Sequence, residues 1–160
     1  MAFILPLLLV AAAIGSGLIS GIFFAFSTFI MTALARIPPE QGIAAMNSIN
    51  VTIVRSPFMF LFIPVAILCF AIAIMAFMDW RGSASISMIG GAATYIVASF
   101  TSTIVFNVPL NDALAKVSGS GSETIALWNR YVTDWTWWNH VRTVASLASA
   151  IAFVRALTIL

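Results

Sequence analysis

Long stretches without charge divide the chain into four apolar segments. No Asp, Glu, Lys, Arg or His occurs from Met1 to Ala35, from Ser56 to Met78 or from Gly82 to Asn111. A further apolar stretch runs from Val141 to Leu160. About 20 apolar residues in a helix are enough to cross the hydrocarbon core of a membrane. The pattern therefore predicts four transmembrane helices, at about residues 3–34, 57–78, 84–107 and 140–159.

Two of the three connections can be interpreted from their turn residues. The five residues from Asp79 to Ser83 form a tight turn, which makes the second and third helices antiparallel neighbours. The first connection, from Arg36 to Arg55, contains Pro38 and Pro39. Because proline is favoured in the first turn of a helix, we expect a short helix on the membrane surface there.

The third connection is long and runs from Asn107 to His140. It contains a flexible Gly-Ser-Gly-Ser stretch at 119–122, followed by a segment at 123–138 that has a helical pattern. The predicted fold is thus all-α. It is an integral membrane four-helix bundle with a short interfacial helix in the first loop and a long third loop, forming a single transmembrane domain over residues 1–160.

Composition strengthens the membrane interpretation and narrows the function. Hydrophobic residues make up 62% of the chain and charged residues 8%, whereas soluble domains carry about 25% charged residues. The net charge is only +2 and the basic residues are scattered, so no nucleic-acid surface is predicted. Cys69 is the single cysteine, which excludes an intramolecular disulfide and a cysteine-based zinc site.

The basic residues also predict an orientation. We expect a bacterial inner-membrane protein with both termini outside and the two long loops in the cytoplasm, because cytoplasmic loops carry more Lys and Arg. The two long connections hold Arg36, Arg55, Lys116 and Arg130, whereas the other side holds Arg81 and Arg155.

Small residues mark two of the predicted helices. Gly17 and Gly21 form a GxxxG step in the first helix, and Gly90 and Gly91 are adjacent in the third. Small residues let helix backbones approach closely within lipid, so we expect close packing at these glycines. A cavity beside them is the functional alternative.

A tryptophan-rich segment at 128–142 holds four of the five tryptophans and the single histidine. A belt of aromatic residues at the headgroup level accounts for the tryptophans. It does not account for the polar residues on the same face. At 3.6 residues per turn, one stripe contains Trp128, Tyr131, Trp135, Trp138, Asn139, Arg142, Ser146 and Ser149.

Arg142 and His140 are the most informative residues of this segment. An arginine inside a membrane faces a partner or an aqueous cavity, or it extends its side chain to the interface near a helix end. His140 is the only side chain that exchanges a proton near neutral pH without a perturbed pKa. On a regular helix it points almost opposite to Arg142, so both reach one pocket only where the helix breaks or bends.

A second polar motif, Asn107-Val-Pro-Leu-Asn111, follows the third predicted span. We expect Pro109 to end that helix, with the asparagines capping free backbone groups or facing a site. The long loop has this motif at one end and the tryptophan-rich segment at the other. The sequence therefore predicts that Asn111, Asn139 and Arg142 converge on one cavity between the third and fourth helices.

These motifs resemble those of the anthrone oxygenase-like membrane family. The resemblance rests on the Asn107–Asn111 motif and on Trp138-Asn-His-Val-Arg142, with support from the segments at 21–27 and 47–50. Fungal members of that family oxidise polyketide anthrones to anthraquinones with dioxygen and without an evident cofactor. The resemblance implies a membrane oxygenase that acts on an apolar aromatic substrate of the anthrone or hydroquinone type.

Such a reaction needs a base, donors for a developing oxyanion and an apolar enclosure. We assign His140 as the base and Arg142, Asn139 and Asn111 as donors. The residues expected to bind the substrate are Asn107, Trp135, Trp138 and Tyr131. No metal site is expected, because one His, one Cys and scattered carboxylates do not supply the usual ligands.

Two other classes of function remain open on the sequence. One is a non-catalytic protein, either a small accessory subunit of a membrane complex or a protein that binds a lipid or quinone. The other is a haem protein with His140 as axial ligand. The predicted partners are membrane lipid, an apolar small molecule, as the resemblance implies, and a homo-oligomer or larger membrane complex, which the small-residue faces suit.

Overall fold

The computed structural model describes residues 4–117 and 121–160, and within these ranges it contains helices and no strand. The four longest helices are long and apolar enough to cross a membrane. The helices are α1 (Ile4–Leu34), α2 (Pro39–Val54), α3 (Met59–Met78), α4 (Ser83–Leu114) and α5 (Ser122–Thr158). The four longest form a closed ring in which α5 packs on α1 and α4, and α3 packs on the same two helices. The predicted all-α four-helix bundle is confirmed.

The first two spans begin and end within two residues of their predicted bounds, although residue 3 lies outside the described residues. The tight turn after α3 also has the expected form. Gly82 adopts a φ of 58°, which favours glycine, and Arg81 pairs with Asp79 in the same turn. The turn makes α3 and α4 neighbours, as predicted.

The third helix does not end at Pro109, contrary to the prediction. α4 continues to Leu114, and Pro109 lies in the first turn of the last α-helical segment, which begins at Val108. A proline inside a regular α-helix clashes with the carbonyl four residues earlier. The turn at Thr103–Asn107, just before it, is a wider π-helix, and this change of pitch accommodates the proline.

The third connection is also mostly helical. α5 begins at Ser122 and runs for 37 residues, which corresponds to about 55 Å at 1.5 Å per residue. Only about 30 Å of hydrocarbon needs to be crossed, so the first part of α5 extends beyond the predicted span at 140–159. Of the predicted flexible stretch at 119–122, residues 119 and 120 lie outside the described residues.

The predicted helix in the first loop is present and covers one end of the bundle. α2 has 16 residues and buries Gly42, Ile43 and Met46. A Cβ atom on Gly42 would lie 2.6 Å from the ring of Trp128, so α2 sits directly on α5. This contact belongs to a cluster that we call the aromatic cluster: Met31, Ile43, Met46, Leu114, Trp128, Tyr131 and Trp135.

The predicted close packing at Gly17 and Gly21 is not found. A Cβ atom on either glycine would meet no atom within 4 Å in the described part of the chain. Close packing is found as predicted at Gly91, which lies against α5, and also at Gly15, which lies against Val65 of α3. The helix positions that approach closely are thus set by which face meets the bundle core.

Candidate functional site

The polar stripe of α5 lies inside the bundle. α5 is one continuous helix, and the stripe residues predicted from the 3.6-residue period are buried along it, with one exception. Trp138 is half-buried, and its ring stacks on Phe106 at 3.6 Å. The buried members are Trp128, Tyr131, Trp135, Asn139, Arg142, Ser146 and Ser149.

A cavity of about 320 Å³ lies against this stripe, between the main core of the bundle and the aromatic cluster. All five helices contribute to its wall. Most of the wall consists of aliphatic and phenylalanine side chains, so the cavity suits an apolar ligand. The polar residues that line it are Asn50, Thr103, Asn107, Asn111 and Arg142, and the indole of Trp135 lies among them.

Arg142 provides the charge of this cavity. Its side chain is 4% exposed, and its guanidinium carbon lies 4.3 Å from the ring centroid of Phe23 and 4.9 Å from that of Trp135. The ion pairs within the described residues involve other arginines, so no carboxylate there neutralises Arg142. Aromatic faces offset part of the cost of burying a cation. The cavity nevertheless keeps a positive charge with no anion beside it.

Asn139 fixes the position of that charge. Its Oδ1 accepts a hydrogen bond of 2.8 Å from Nη2 of Arg142. Its Nδ2 donates to the carbonyl oxygen of Phe23 at 2.6 Å and to Oγ of Ser27 at 2.7 Å. These acceptors lie on α1, next to its π-helical turn at Phe26–Ile30. Asn139 therefore ties α1 to α5 behind the cavity and acts as a positioning residue.

Polar residues recur every four positions along the inner face of α4. A four-residue step overshoots the 3.6-residue α-helical turn by about 40°, so such a face would wind around a regular helix. Two π-helical segments, Thr94–Thr101 and Thr103–Asn107, widen the turn and keep the face pointing at α5. Its members are Ser99, Thr103, Asn107 and Asn111.

Hydrogen bonds along this face fasten α4 to α5. Nδ2 of Asn107 donates to the carbonyl oxygen of Trp135 at 3.2 Å. The hydroxyl of Tyr131 donates to Oδ1 of Asn111 at 2.8 Å. Nη1 of Arg142 lies 3.4 Å from Oγ1 of Thr103, which is a weak contact. Asn107 and Asn111 thus hold the cavity wall, and the guanidinium keeps unused donor capacity, since arginine has five N–H groups.

Several buried polar atoms of the cavity wall have no hydrogen-bond partner in the described part of the chain. They comprise three N–H donors and one carbonyl acceptor. Each such atom costs about 1–3 kcal/mol when it is left unsatisfied, and native proteins contain few of them. Their clustering around one cavity indicates a binding site for a ligand with polar oxygens. The atoms are Nδ2 of Asn50, Oδ1 of Asn107, Nε1 of Trp135 and Nε of Arg142.

His140 does not reach this cavity. Because α5 is unbroken, His140 is exposed on the opposite side of the helix. It lines an open groove between α1 and α5 together with Arg36 and Trp137. The expected convergence with Arg142 needed a bend that the helix does not have.

The structure therefore divides the predicted site residues into three groups. Asn107, Asn111, Trp135 and Arg142 line the cavity. Asn139 and Tyr131 lie behind its wall and bond to residues that line it. Trp138 and His140 lie outside.

Sequence reasoning missed Thr103 and Asn50. The four-residue spacing of Thr103 from Ser99 and Asn107 was visible, but it does not match the α-helical period. Asn50 follows Ile43 and Met46 at helical spacing, so its place on the inner face of α2 follows once that helix is known to be long. No group of three or more His, Cys, Asp or Glu residues that could hold a metal ion occurs within residues 4–117 and 121–160.

The fold and the cavity define a four-helix bundle whose helices are long and apolar enough to cross a membrane, with a largely apolar cavity inside it. The sequence model of the anthrone oxygenase family matches residues 58–152, which is more than half of the chain. The chain belongs to the anthrone oxygenase family. The match includes the cavity residues of α3, α4 and α5, whereas α1 and α2 lie outside it. Searches of curated proteins and of solved structures return no match.

Proposed function

We propose that this protein is a membrane-embedded oxygenase that oxidises an apolar aromatic substrate of the anthrone or hydroquinone class with dioxygen. Membership of the anthrone oxygenase family supports the reaction class. The observation that carries the proposal is the buried guanidinium of Arg142, which has no carboxylate beside it and faces an otherwise apolar cavity. Such a site favours a flat, apolar ligand that becomes negatively charged at one oxygen.

Arg142 would act on the acidity of the substrate. An anthrone ionises by losing a proton from carbon, and the charge moves to its oxygen. A cation in a low-dielectric cavity stabilises that oxyanion far more than water-exposed charge could. The indole N–H of Trp135 and the amide of Asn50 are further donors for the same oxygen, and Oδ1 of Asn107 could accept from a neighbouring hydroxyl group.

The chemistry then proceeds on the substrate itself. The electron-rich anion passes one electron to dioxygen, and the carbon radical and superoxide combine to form a C–O bond. The resulting peroxide takes up a proton, its O–O bond breaks, and the second proton leaves carbon as water departs. An anthrone and dioxygen thus become an anthraquinone and water.

The described residues that line the cavity include neither a carboxylate nor a histidine. The proton removed in the first step therefore goes to an acceptor outside the wall, and Arg142 stabilises the conjugate base that forms in the cavity. This differs from general-base catalysis by His140. It predicts that substrates that are more acidic bind more tightly at neutral pH.

Oxygen uptake by the pure protein in lipid nanodiscs tests this function. With an anthrone as substrate, we expect one dioxygen consumed per anthraquinone formed, and one atom of labelled dioxygen in the product. Arg142→Lys should lower the rate, because lysine keeps the charge but loses the planar donor fork. Arg155→Lys, on the same helix, is the matched control. A rate equal to that of protein-free nanodiscs would contradict the proposal.

A second candidate is binding of a quinone or lipid without turnover. The unused donors of the cavity favour it, because a quinone carbonyl could accept from Arg142 and Trp135 just as an oxyanion could. In that case the protein would bind a quinone stoichiometrically and consume no oxygen. The open space at Gly17 and Gly21 would then suit a second copy or a larger membrane complex.

We further propose a bacterial inner-membrane location with the α4–α5 connection in the cytoplasm, and no resident cofactor. Reporter fusions at Arg81 and Lys116 should lie on opposite sides, since α4 separates them. Absorption spectra of the purified protein should contain no haem band. A haem band that His140→Ala removes would support the haem alternative instead.

A further inference from the structure

We infer that the substrate enters the cavity sideways from the lipid, through an opening between α3 and α4. This inference rests on the proposed function, because it supplies the route to the same site. Most of the cavity wall is buried or half-buried, and its exposed members all carry apolar side chains. They are four aliphatic residues, which we call the portal residues: Ile63 of α3, Ile104 and Val108 of α4, and Val54 at the end of α2.

The exposed residues of the cavity wall are apolar, and its polar residues are buried or half-buried. Ile63 is 41% exposed and Ile104 is 53% exposed, and both lie on helices long and apolar enough to cross a membrane. Asn107 and Arg142, by contrast, are nearly fully buried. No exposed residue of the described wall is polar. A ligand that comes through the portal therefore meets aliphatic surface first and the charge last.

This gradient selects a class of ligand. An ion or a strongly hydrated molecule would lose its hydration at the portal with nothing to replace it, which costs several kcal/mol. An uncharged aromatic compound with one weakly acidic oxygen loses little there and gains the donors at the inner end. The portal thus admits the neutral form, and ionisation follows inside, next to Arg142.

A competing entrance exists on the other side of α2. A surface groove lined by Ser48, Thr52 and Ser56 shares wall residues such as Phe26 and Ile53 with the cavity. Three of its lining residues carry hydroxyl groups, so it offers a route for entry from water. The two entrances can be narrowed independently, because none of those three polar residues lines the cavity itself.

The test measures how fast 2-naphthol binds and leaves the full-length protein in nanodiscs, from quenching of tryptophan fluorescence. Ile63→Phe with Ile104→Phe narrows the portal. Its matched control is Ile67→Phe with Val105→Phe, at positions 63% and 52% exposed that do not line the cavity. We expect the portal variant to slow association and dissociation about tenfold each, because a barrier acts on both directions. The dissociation constant should stay nearly unchanged.

A variant that widens the portal distinguishes a narrowed entrance from a damaged fold, because damage would not speed up binding. Ile104→Ala should raise both rates and again leave the dissociation constant unchanged. Portal variants with the rates of the control pair would overturn the lateral route while leaving the proposed ligand class intact. If Ser48→Phe with Thr52→Phe binds 2-naphthol more slowly and the portal variant does not, the entrance is the groove lined by Ser48, Thr52 and Ser56. A wild-type protein that does not bind 2-naphthol at all would overturn the ligand class and the route together.

Discussion

Arg142 and His140 lie two residues apart on α5, yet their surroundings are opposite. Arg142 is packed between two aromatic rings, bonded through Asn139 and turned into the cavity. His140 is exposed in an open groove beside Arg36. Two residues correspond to about 200° of rotation around a helix. Residues that are neighbours in a sequence motif therefore face opposite surroundings when the helix that carries them stays regular.

The Arg142 face and the His140 face of α5 also differ in their effect on the stability of the fold. A buried cation without an anion and several unsatisfied donors destabilise the bundle, whereas an exposed imidazole costs almost nothing. Residues retained at such a cost are expected to act on a ligand. Mutations on the arginine face should therefore change function strongly, and those on the histidine face weakly.

Arg142→Met is the largest expected effect. We expect it to lower oxygen uptake about 100-fold or more, the range seen when one oxyanion donor is removed. Thermal unfolding should occur at the same or a higher temperature, because an apolar side chain of similar length replaces an uncompensated charge. Arg155→Met serves as the control in both measurements. If Arg142→Met unfolds at a lower temperature and keeps its oxygen uptake, Arg142 stabilises the fold and does not act on the substrate.

Trp135→Phe tests a single donor on the arginine face. Phenylalanine keeps an aromatic ring against Arg142 and removes the unsatisfied indole N–H together with part of the ring area. We expect about tenfold weaker binding of 2-naphthol, the loss of one hydrogen bond to a charged group. Trp138→Phe, whose ring stacks on Phe106 outside the cavity, should bind as the wild type does. Equal losses in both variants would indicate general damage to the aromatic packing.

Tyr131→Phe should have a smaller effect, because it acts through Asn111. Removing the hydroxyl breaks the 2.8 Å hydrogen bond to Oδ1 of Asn111 and should cost about 1 kcal/mol of stability. Binding of 2-naphthol should weaken a few-fold, because Asn111 loses its fixed orientation. A double-mutant cycle with Asn111→Ala, measured by thermal unfolding, should be non-additive. Additive losses would mean that the two side chains are not coupled.

His140→Ala is the smallest expected effect. Oxygen uptake should stay within about twofold of the wild-type value, since an exposed side chain away from the cavity contributes little. The dependence of oxygen uptake on pH should also keep its shape. Loss of activity in a folded variant would restore His140 as the base and would require α5 to bend during the reaction.

Hydropathy was sufficient to predict the bundle, because four apolar segments separated by charges have few other folds. The regular period of α5 likewise predicted which of its residues face inward. The ends of the helices were harder. The first part of α5 and the last part of α4 carry polar outer faces, so they do not resemble membrane spans, although Trp128 and Leu114 bury their inner faces in the aromatic cluster.

The inner face of α4 could not be predicted for a different reason. Residues at 99, 103, 107 and 111 drift apart on a regular helix, and only the π-helical turns bring them together. The sequence around Pro109 suggested a helix end, because the same residue types occur where a helix stops and where its pitch changes.

The π-helical segments let α4 lose a residue without losing its inner face. A widened turn holds an extra residue, so a chain that lacked one residue between 99 and 107 can relax to an ordinary α-helix. The seven remaining steps from Ser99 to Asn107 would then turn by about 700°, close to two full turns, and Asn111 would follow within about 20° of the third. The same deletion in the regular helix α5 would rotate every residue beyond it by about 100° and take the buried stripe out of the bundle. The widened turns therefore make α4 the more tolerant of the two helices to a change in length.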